Sequence, residues 1–243
     1  MRKSCIAAIL FLSGCGPAGP PPIANAIPAD SIAAAVLDLA ALRSSPAFAK
    51  LPVVSGYARQ MPDDVKQMAL AWNGRDLLLL ATGQFGVSPP QGYTGIGKGI
   101  AASGAPEHVE AARIQLTART AASVGLPQIP AEIQAVVRSD GRLPFTGNLS
   151  NLGNLLRMAT YTTAVAHVQN AVEVELAAQC RSADEARQLL ETLRAMKTLA
   201  AAATRDAEIA AMLRDIQTTR ENVLVRVRGI ARPELIAKAL GLQ

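Results

Sequence analysis

The sequence predicts an α+β protein of two tandem related halves, each an antiparallel sheet with helices on one face. Three observations carry that expectation. Alternating apolar runs are separated by turn dipeptides, helical patterns open on capping residues, and three short anchors recur in one order. Pro28-Ala29-Asp30 recurs as Pro130-Ala131-Glu132, Gly83-Gln84-Phe85 as Ala178-Gln179-Cys180, and the stretch from Pro106 to Ala112 as that from Pro233 to Ala239. The expected halves are residues 29–125 and 126–243, the second carrying a helical insertion at 182–216.

In the first half, Ile32 to Leu39 reads as a strand. Ser45-Pro46 then opens a helix with a capping serine and a proline at its first position, and Pro52 should kink or divide it. Lys66 to Trp72 and Arg75 to Phe85 flank Asn73-Gly74, a dipeptide whose tolerance of positive φ suits a two-residue hairpin. Thr94 to Ala101 reads as a shorter strand, followed by a helix from Pro106 to about Arg119.

The second half runs through strand Ile133 to Arg138, a helix from about Leu149 to Ala159, and strands Tyr161 to Val168 and Ala171 to Cys180 turning at Gln169-Asn170. Ser182 with Glu185 forms a capping box, after which Ala186, Leu189, Leu190, Leu193 and Met196 recur at helical spacing while Arg187, Glu191 and Arg194 face away. A second inserted helix spans Asp206 to Ile216. Strand Val223 to Val227 and a helix from Pro233 close the half. This β-α-β-β-α-β order resembles a ferredoxin-like split unit.

Strand parity predicts the buried faces. Val172, Val174, Leu176, Ala178 and Cys180 share one face, as do Val223, Val225 and Val227, leaving Glu173, Glu175, Arg226 and Arg228 on the other. The two strands are therefore expected to be neighbours with their charges paired across the sheet.

Residues 1–14 divide into the zones of a secretory signal: Arg2 and Lys3, an apolar run from Cys5 to Leu12, then small residues. The run is too short to span a bilayer, which takes ~20 apolar residues. Leu12-Ser13-Gly14-Cys15 resembles the lipobox of bacterial lipoproteins. The resemblance implies cleavage before Cys15 and a diacylglyceryl thioether on its sulfur, because that chemistry needs a thiol at this position behind small residues. Acyl chains contribute ~0.8 kcal/mol per buried methylene, so two or three anchor firmly. Gly16 stands where an aspartate would favour inner-membrane retention, which implies the outer membrane, facing the periplasm. Residues 15–28, with Gly-Pro-Ala-Gly-Pro-Pro-Pro after the cysteine, read as an extended tether reaching up to ~40 Å. The alanine-rich α+β body also resembles uncharacterised bacterial lipoproteins of this size, a likeness of pattern that transfers no functional residue.

Composition narrows the function. The formal charge of +5 includes Arg2 and Lys3 of the signal, basic residues are not clustered, and aromatics are 3%, which together exclude nucleic-acid binding. Cys15 and Cys180 remain after cleavage, and lipidation of Cys15 precludes an internal disulfide.

Gly92-Tyr93-Thr94-Gly95-Ile96-Gly97-Lys98 has the glycine and lysine spacing of a phosphate-binding loop, but Gly99 replaces the magnesium-binding hydroxyl and no helix starts there. It reads as a glycine-rich edge strand. His108 is expected exposed beside Glu107 and Glu110, and His167 lies near a turn with no carboxylate close in sequence. Cys180 reads as a small, inert core residue. Glu173 and Glu175 read as solvated or ion-paired. No nucleophile elbow or metal-ligand spacing occurs, so no catalytic residue, metal or cofactor is assigned. The expectation is a non-enzymatic envelope lipoprotein, held on the membrane by lipid on Cys15 and meeting an envelope protein or polymer. The alternatives are a module binding a small apolar ligand between the halves and, behind it, a hydrolase built from distant residues.

Overall fold

A computed structural model describes residues 22–51, 61–85, 88–118, 125–138 and 157–239 of the chain. The candidate signal with Cys15, Pro52 and most of the helix expected from Leu149 lie outside the described residues. No described helix is long and apolar enough to cross a membrane.

The strands form one antiparallel sheet. β1 (Ala33–Asp38), β2 (Val65–Trp72) and β3 (Leu77–Gly83) lead to the hairpin β4 (Thr94–Gly97) and β5 (Ile100–Ser103). β6 (Ile133–Arg138), β7 (Ala159–Val168) and β8 (Val172–Cys180) lead to the hairpin β9 (Gln217–Glu221) and β10 (Leu224–Ala231). The order across the sheet is β4-β5-β3-β2-β1-β6-β7-β8-β10-β9. Its central seam is the antiparallel pair β1 and β6, in which Ala35 lies opposite Ala135. β6, β7 and β8 are successive antiparallel neighbours, so the ferredoxin-like order expected of the second half does not describe this sheet.

Helices cover both faces, where one face was expected. On one face, the 3-10 turn Pro22–Ala26 and α3 (Pro106–Thr117) pack over Ala34, Val36, Ala69, Leu78, Leu80 and Val136. On the other, α1 (Leu39–Ser44) and α2 (Pro46–Ala49) bury Leu39, Leu42 and Phe48 against Val65, Ala81, Val168 and Val172. That face also carries α4 (Ala183–Ala203), whose Ala186, Leu189 and Leu190 meet Cys180 and Val225. The physical reason is strand parity. Ala34 and Val36 point one way from β1 and Leu37 the other, and both faces of the central strands are apolar enough to need cover.

The first turn corrects the expected tether. Ile23, Ala24, Ala26 and Ile27 are completely buried, so residues 22–27 belong to the folded body and not to a tether. Prolines 20 to 22 precede a short apolar segment that docks on the sheet, and burying two isoleucines outweighs the freedom of an extended linker.

Local capping follows the sequence closely. The Ser45 hydroxyl accepts from Phe48 N–H, with Pro46 at the first position of α2. Ser182 Oγ accepts from Glu185 N–H, and Glu185 reaches back to accept from Arg181 N–H. Asp38 caps a helix not anticipated, its Oδ1 accepting from Ala41 N–H where the sequence suggested a continuing strand. The hairpin expected at Asn73-Gly74 forms, but with a four-residue loop, residues 73–76, in place of the two-residue turn expected, and the return strand starts at Leu77 rather than Arg75. Trp72 pairs with Leu77, Asn73 Oδ1 accepts from both Arg75 and Asp76 N–H, and Gly74 takes φ +102°.

Two expected single strands are hairpins. Thr94 to Ala101 folds back at Lys98-Gly99, with Gly99 at φ +68°, and the strand around Val223 is the return arm of a hairpin that starts at Gln217 and turns at Asn222, φ +52°. α4 also outruns its expected face. Met196 is 44% exposed, because the far part of the helix packs on α5 (Ala207–Asp215) rather than on the sheet, with Ala201 and Ala210 buried.

Strand parity in β8 and β10 holds. The strands are neighbours, with Val225 opposite Ala178 and Val227 opposite Leu176. Leu176 is nevertheless 38% exposed, since it lies between the residues packed by α2 and those packed by α4. The charges pair diagonally across the open face. Arg226 Nη1 meets Glu175 Oε1 at 2.8 Å, and Arg228 forks onto Glu173. The Glu173 contacts hold the Arg228 guanidinium above its usual range. The described residues end with α6 (Pro233–Ala239), tied to the body by Lys50 with Glu234 and Lys238 with Asp206.

Candidate functional site

A cleft of about 470 Å³ opens at one end of the β1/β6 seam. The sheet ladder itself builds it. Gln67 on β2 lies opposite Asp38 on β1. One step beyond the pair Leu37 and Ile133, Asp38 faces Glu132, its N–H donating to the Glu132 carbonyl at 2.8 Å. One step beyond Ile133 and Ala166, Glu132 faces His167, and His167 in turn lies opposite Glu173. Gln67, Asp38, Glu132 and His167 therefore form one polar row on a single face of the sheet. The loop Pro127 to Ala131 forms the opposing wall.

The row is held in place. Glu132, with its side chain 12% exposed, accepts from Val168 N–H at 3.2 Å and stands 3.3 Å from His167 Nδ1. Asp38 is fixed by its cap on α1. One residue inward from Glu132 on the same face, Gln134 is only 3% exposed. Its Nε2 donates to the Ile129 carbonyl at 2.9 Å, which fixes the amide's orientation, and its Oε1 has no partner.

The fold thus changes the standing of both histidines. His167, which has no carboxylate near it in sequence, has Glu132 and Glu173 as strand neighbours. His108, expected exposed on α3, is 4% exposed with neither ring nitrogen hydrogen-bonded, because the helix turns that edge toward the 3-10 turn and the sheet. It lies on α3 and is not among the described residues that line the cleft with His167. Cys180 is a free buried thiol, its pKa pushed up by burial and then by Glu185. Lys98 sits exposed at the β4/β5 turn, with β4 at the edge of the sheet, and strand β5 rather than a helix follows it directly. Glu173 and Glu175 are ion-paired rather than set as an acid and base. Among the described residues no group of histidine, cysteine and carboxylates is placed to hold a metal ion. Sequence reasoning missed the cleft itself. Its one signal was the recurrent Pro130-Ala131-Glu132, read as a repeat marker and not as a site.

These features define an α+β protein built on a ten-stranded antiparallel sheet with an acidic cleft at its seam. No family model and no curated protein matches the chain. Among solved structures it is similar to crystal form III of TP0453, at 8% identity over 93% of this chain and 100% of that one, with a TM-score of 0.47. Crystal form I of TP0453 gives 8% identity over 91% and 97%, with a TM-score of 0.49. At that identity no functional residue is transferable.

Proposed function

We propose that the chain is a lipid-anchored protein of the bacterial envelope whose body binds rather than catalyses. The observation that carries this is the signal-like start ending in Leu12-Ser13-Gly14-Cys15. Gly16 favours the outer membrane, with the body in the periplasm. Because residues 22–27 belong to the folded body, at most six residues, 16–21, separate that body from Cys15, and such a stretch spans no more than ~20 Å at ~3.1 Å per residue. The body would be held close to the bilayer, where a membrane-associated envelope protein or polymer meets it. Replacing Cys15 with serine in the producing cell tests the anchor. Loss of lipid labelling and of membrane fractionation is expected, and unchanged processing and fractionation would overturn the reading.

The same proposal takes the body as a duplicated unit. Outward from the seam the strands run β1-β2-β3-β5-β4 on one side and β6-β7-β8-β10-β9 on the other. The register supports it too: the row Ala35, Leu70, Leu79, Ser103 is matched by Ala135, Ala164, Leu176, Val227.

A second reading, a module for a small ligand between the halves, is favoured by the seam cleft, to which both sides contribute. The two carboxylates argue against the apolar ligand first expected there. A hydrolase working through a serine, threonine or cysteine nucleophile is disfavoured, because among the described residues none of these lines that cleft.

A further inference from the structure

We propose that the seam cleft binds a small organic cation carrying N–H donors, a primary ammonium, between Asp38 and Glu132. The proposal rests on the second reading above, that the cleft is a ligand site, and names the class of ligand.

Two carboxylates directly opposite on neighbouring strands repel each other, and sheets usually avoid the arrangement. Here Asp38 and Glu132 face one another on the same side of the seam. Among the described residues no lysine or arginine lines the cleft to balance them. Among the described lining residues His167 is the one able to carry positive charge; it stands beside Glu132, whose oxygens otherwise accept only from neutral donors, Val168 N–H and Gln169 Nε2. The contrast with the other end of the seam is direct. There the ladder places Ile32 opposite Arg138, with Arg138 N–H donating to the Ile32 carbonyl at 2.7 Å, so that end pairs a cation with an apolar residue. The like-charge pair is specific to the end that opens into a cleft.

The second observation is independent of charge. Gln134 Oε1 is buried in the cleft wall without a donor. A buried acceptor with no partner costs about 1–3 kcal/mol, and an N–H donor seated deep in the cleft would supply the missing bond. Gln67, Gln128 and Gln169 add amide groups around the rim, while Val36, Ala41 and Pro130 offer a short apolar wall. An anion would meet two carboxylates, and a purely apolar molecule would leave them desolvated and unpaired. An ammonium on a short alkyl chain satisfies the carboxylates, the orphan acceptor and the apolar wall together.

The test is calorimetric titration of the full chain in detergent, at low ionic strength, with n-butylammonium, 1,4-diaminobutane, tetramethylammonium, 1-butanol and butyrate. The expected result is saturable binding of the two primary ammonium probes, weaker binding of tetramethylammonium, which has no N–H, and none of butanol or butyrate. Asp38→Asn and Glu132→Gln should each weaken ammonium binding about ten-fold or more. Both keep the acceptor that caps α1 or meets Val168, and unchanged circular dichroism verifies the fold. Butanol binding as well as butylammonium, or a double variant with unchanged ammonium affinity, would overturn the cation assignment while leaving a ligand site. Binding of no probe would overturn the site reading itself.

Discussion

Truncating Ile27 to alanine removes three carbons from a side chain with no exposed surface, in a segment whose composition reads as linker. The residue packs in the cluster formed by Ala34, Val36, Ala69, Leu78 and Leu80. At ~0.8 kcal/mol per buried methylene the transfer loss alone is about 2.4 kcal/mol, and the residual cavity brings buried Ile→Ala changes into the range of about 2–5 kcal/mol. In a domain of this size 1 kcal/mol lowers the melting temperature by about 2–4 °C, so a drop of roughly 5 °C or more is expected. Equilibrium denaturation of the full chain, followed by far-ultraviolet circular dichroism with a parallel thermal melt, measures both. Pro20→Ala serves as the comparison, since it changes composition upstream of the buried turn. A change in stability within about 0.5 kcal/mol of wild type, the usual scatter for surface substitutions, would refute the docking of residues 22–27 and restore an extended tether.

The remaining predictions concern the closing helix, the buried thiol, the anchor and the cleft. Hydrogen bonding to Lys238 holds the Asp206 carboxyl below its usual range, and hydrogen bonding to Lys50 does the same for Glu234. Since folding lowers both pKa values, their stabilisation is present above about pH 4–5 and is lost as pH falls through the folded values. Protection of the α6 amides from exchange, taken relative to the other helices, should therefore fall on acidification below pH 4, less steeply in Asp206→Asn, and a pH-independent ratio would contradict this. Cys180, buried with a raised pKa, should resist maleimide in the native protein and label fully in denaturant; native labelling mapped to that residue by mass would count against its burial. Cys15→Ser should abolish membrane fractionation, and Asp38→Asn should weaken butylammonium binding as set out above.

Much of the body is legible from local chemistry. Ser45-Pro46, Ser182 with Glu185, and Asn73-Gly74 each act within a few residues, and each appears where the sequence places it. Alternation in β8 and β10 even identified two strands as partners, because opposite charges on outward positions need each other across a ladder. The failures share one cause. Pro22–Ala26 and His108 both look solvent-facing by composition, yet each is covered by an element distant in sequence. Lys98-Gly99 and Asn222-Val223 are turns that short apolar runs concealed.

The sequence by itself determined the α+β class, the caps, the alternating strand faces and the candidate export and lipidation signal, since these depend on neighbours along the chain. Only the tertiary structure decided that one sheet runs through the whole body, that helices cover both of its faces, and that Asp38, Glu132 and His167 stand in one row. Residues 38, 132 and 167 are brought together by strand register, and register follows from burying both faces of the seam at once, which no local pattern encodes.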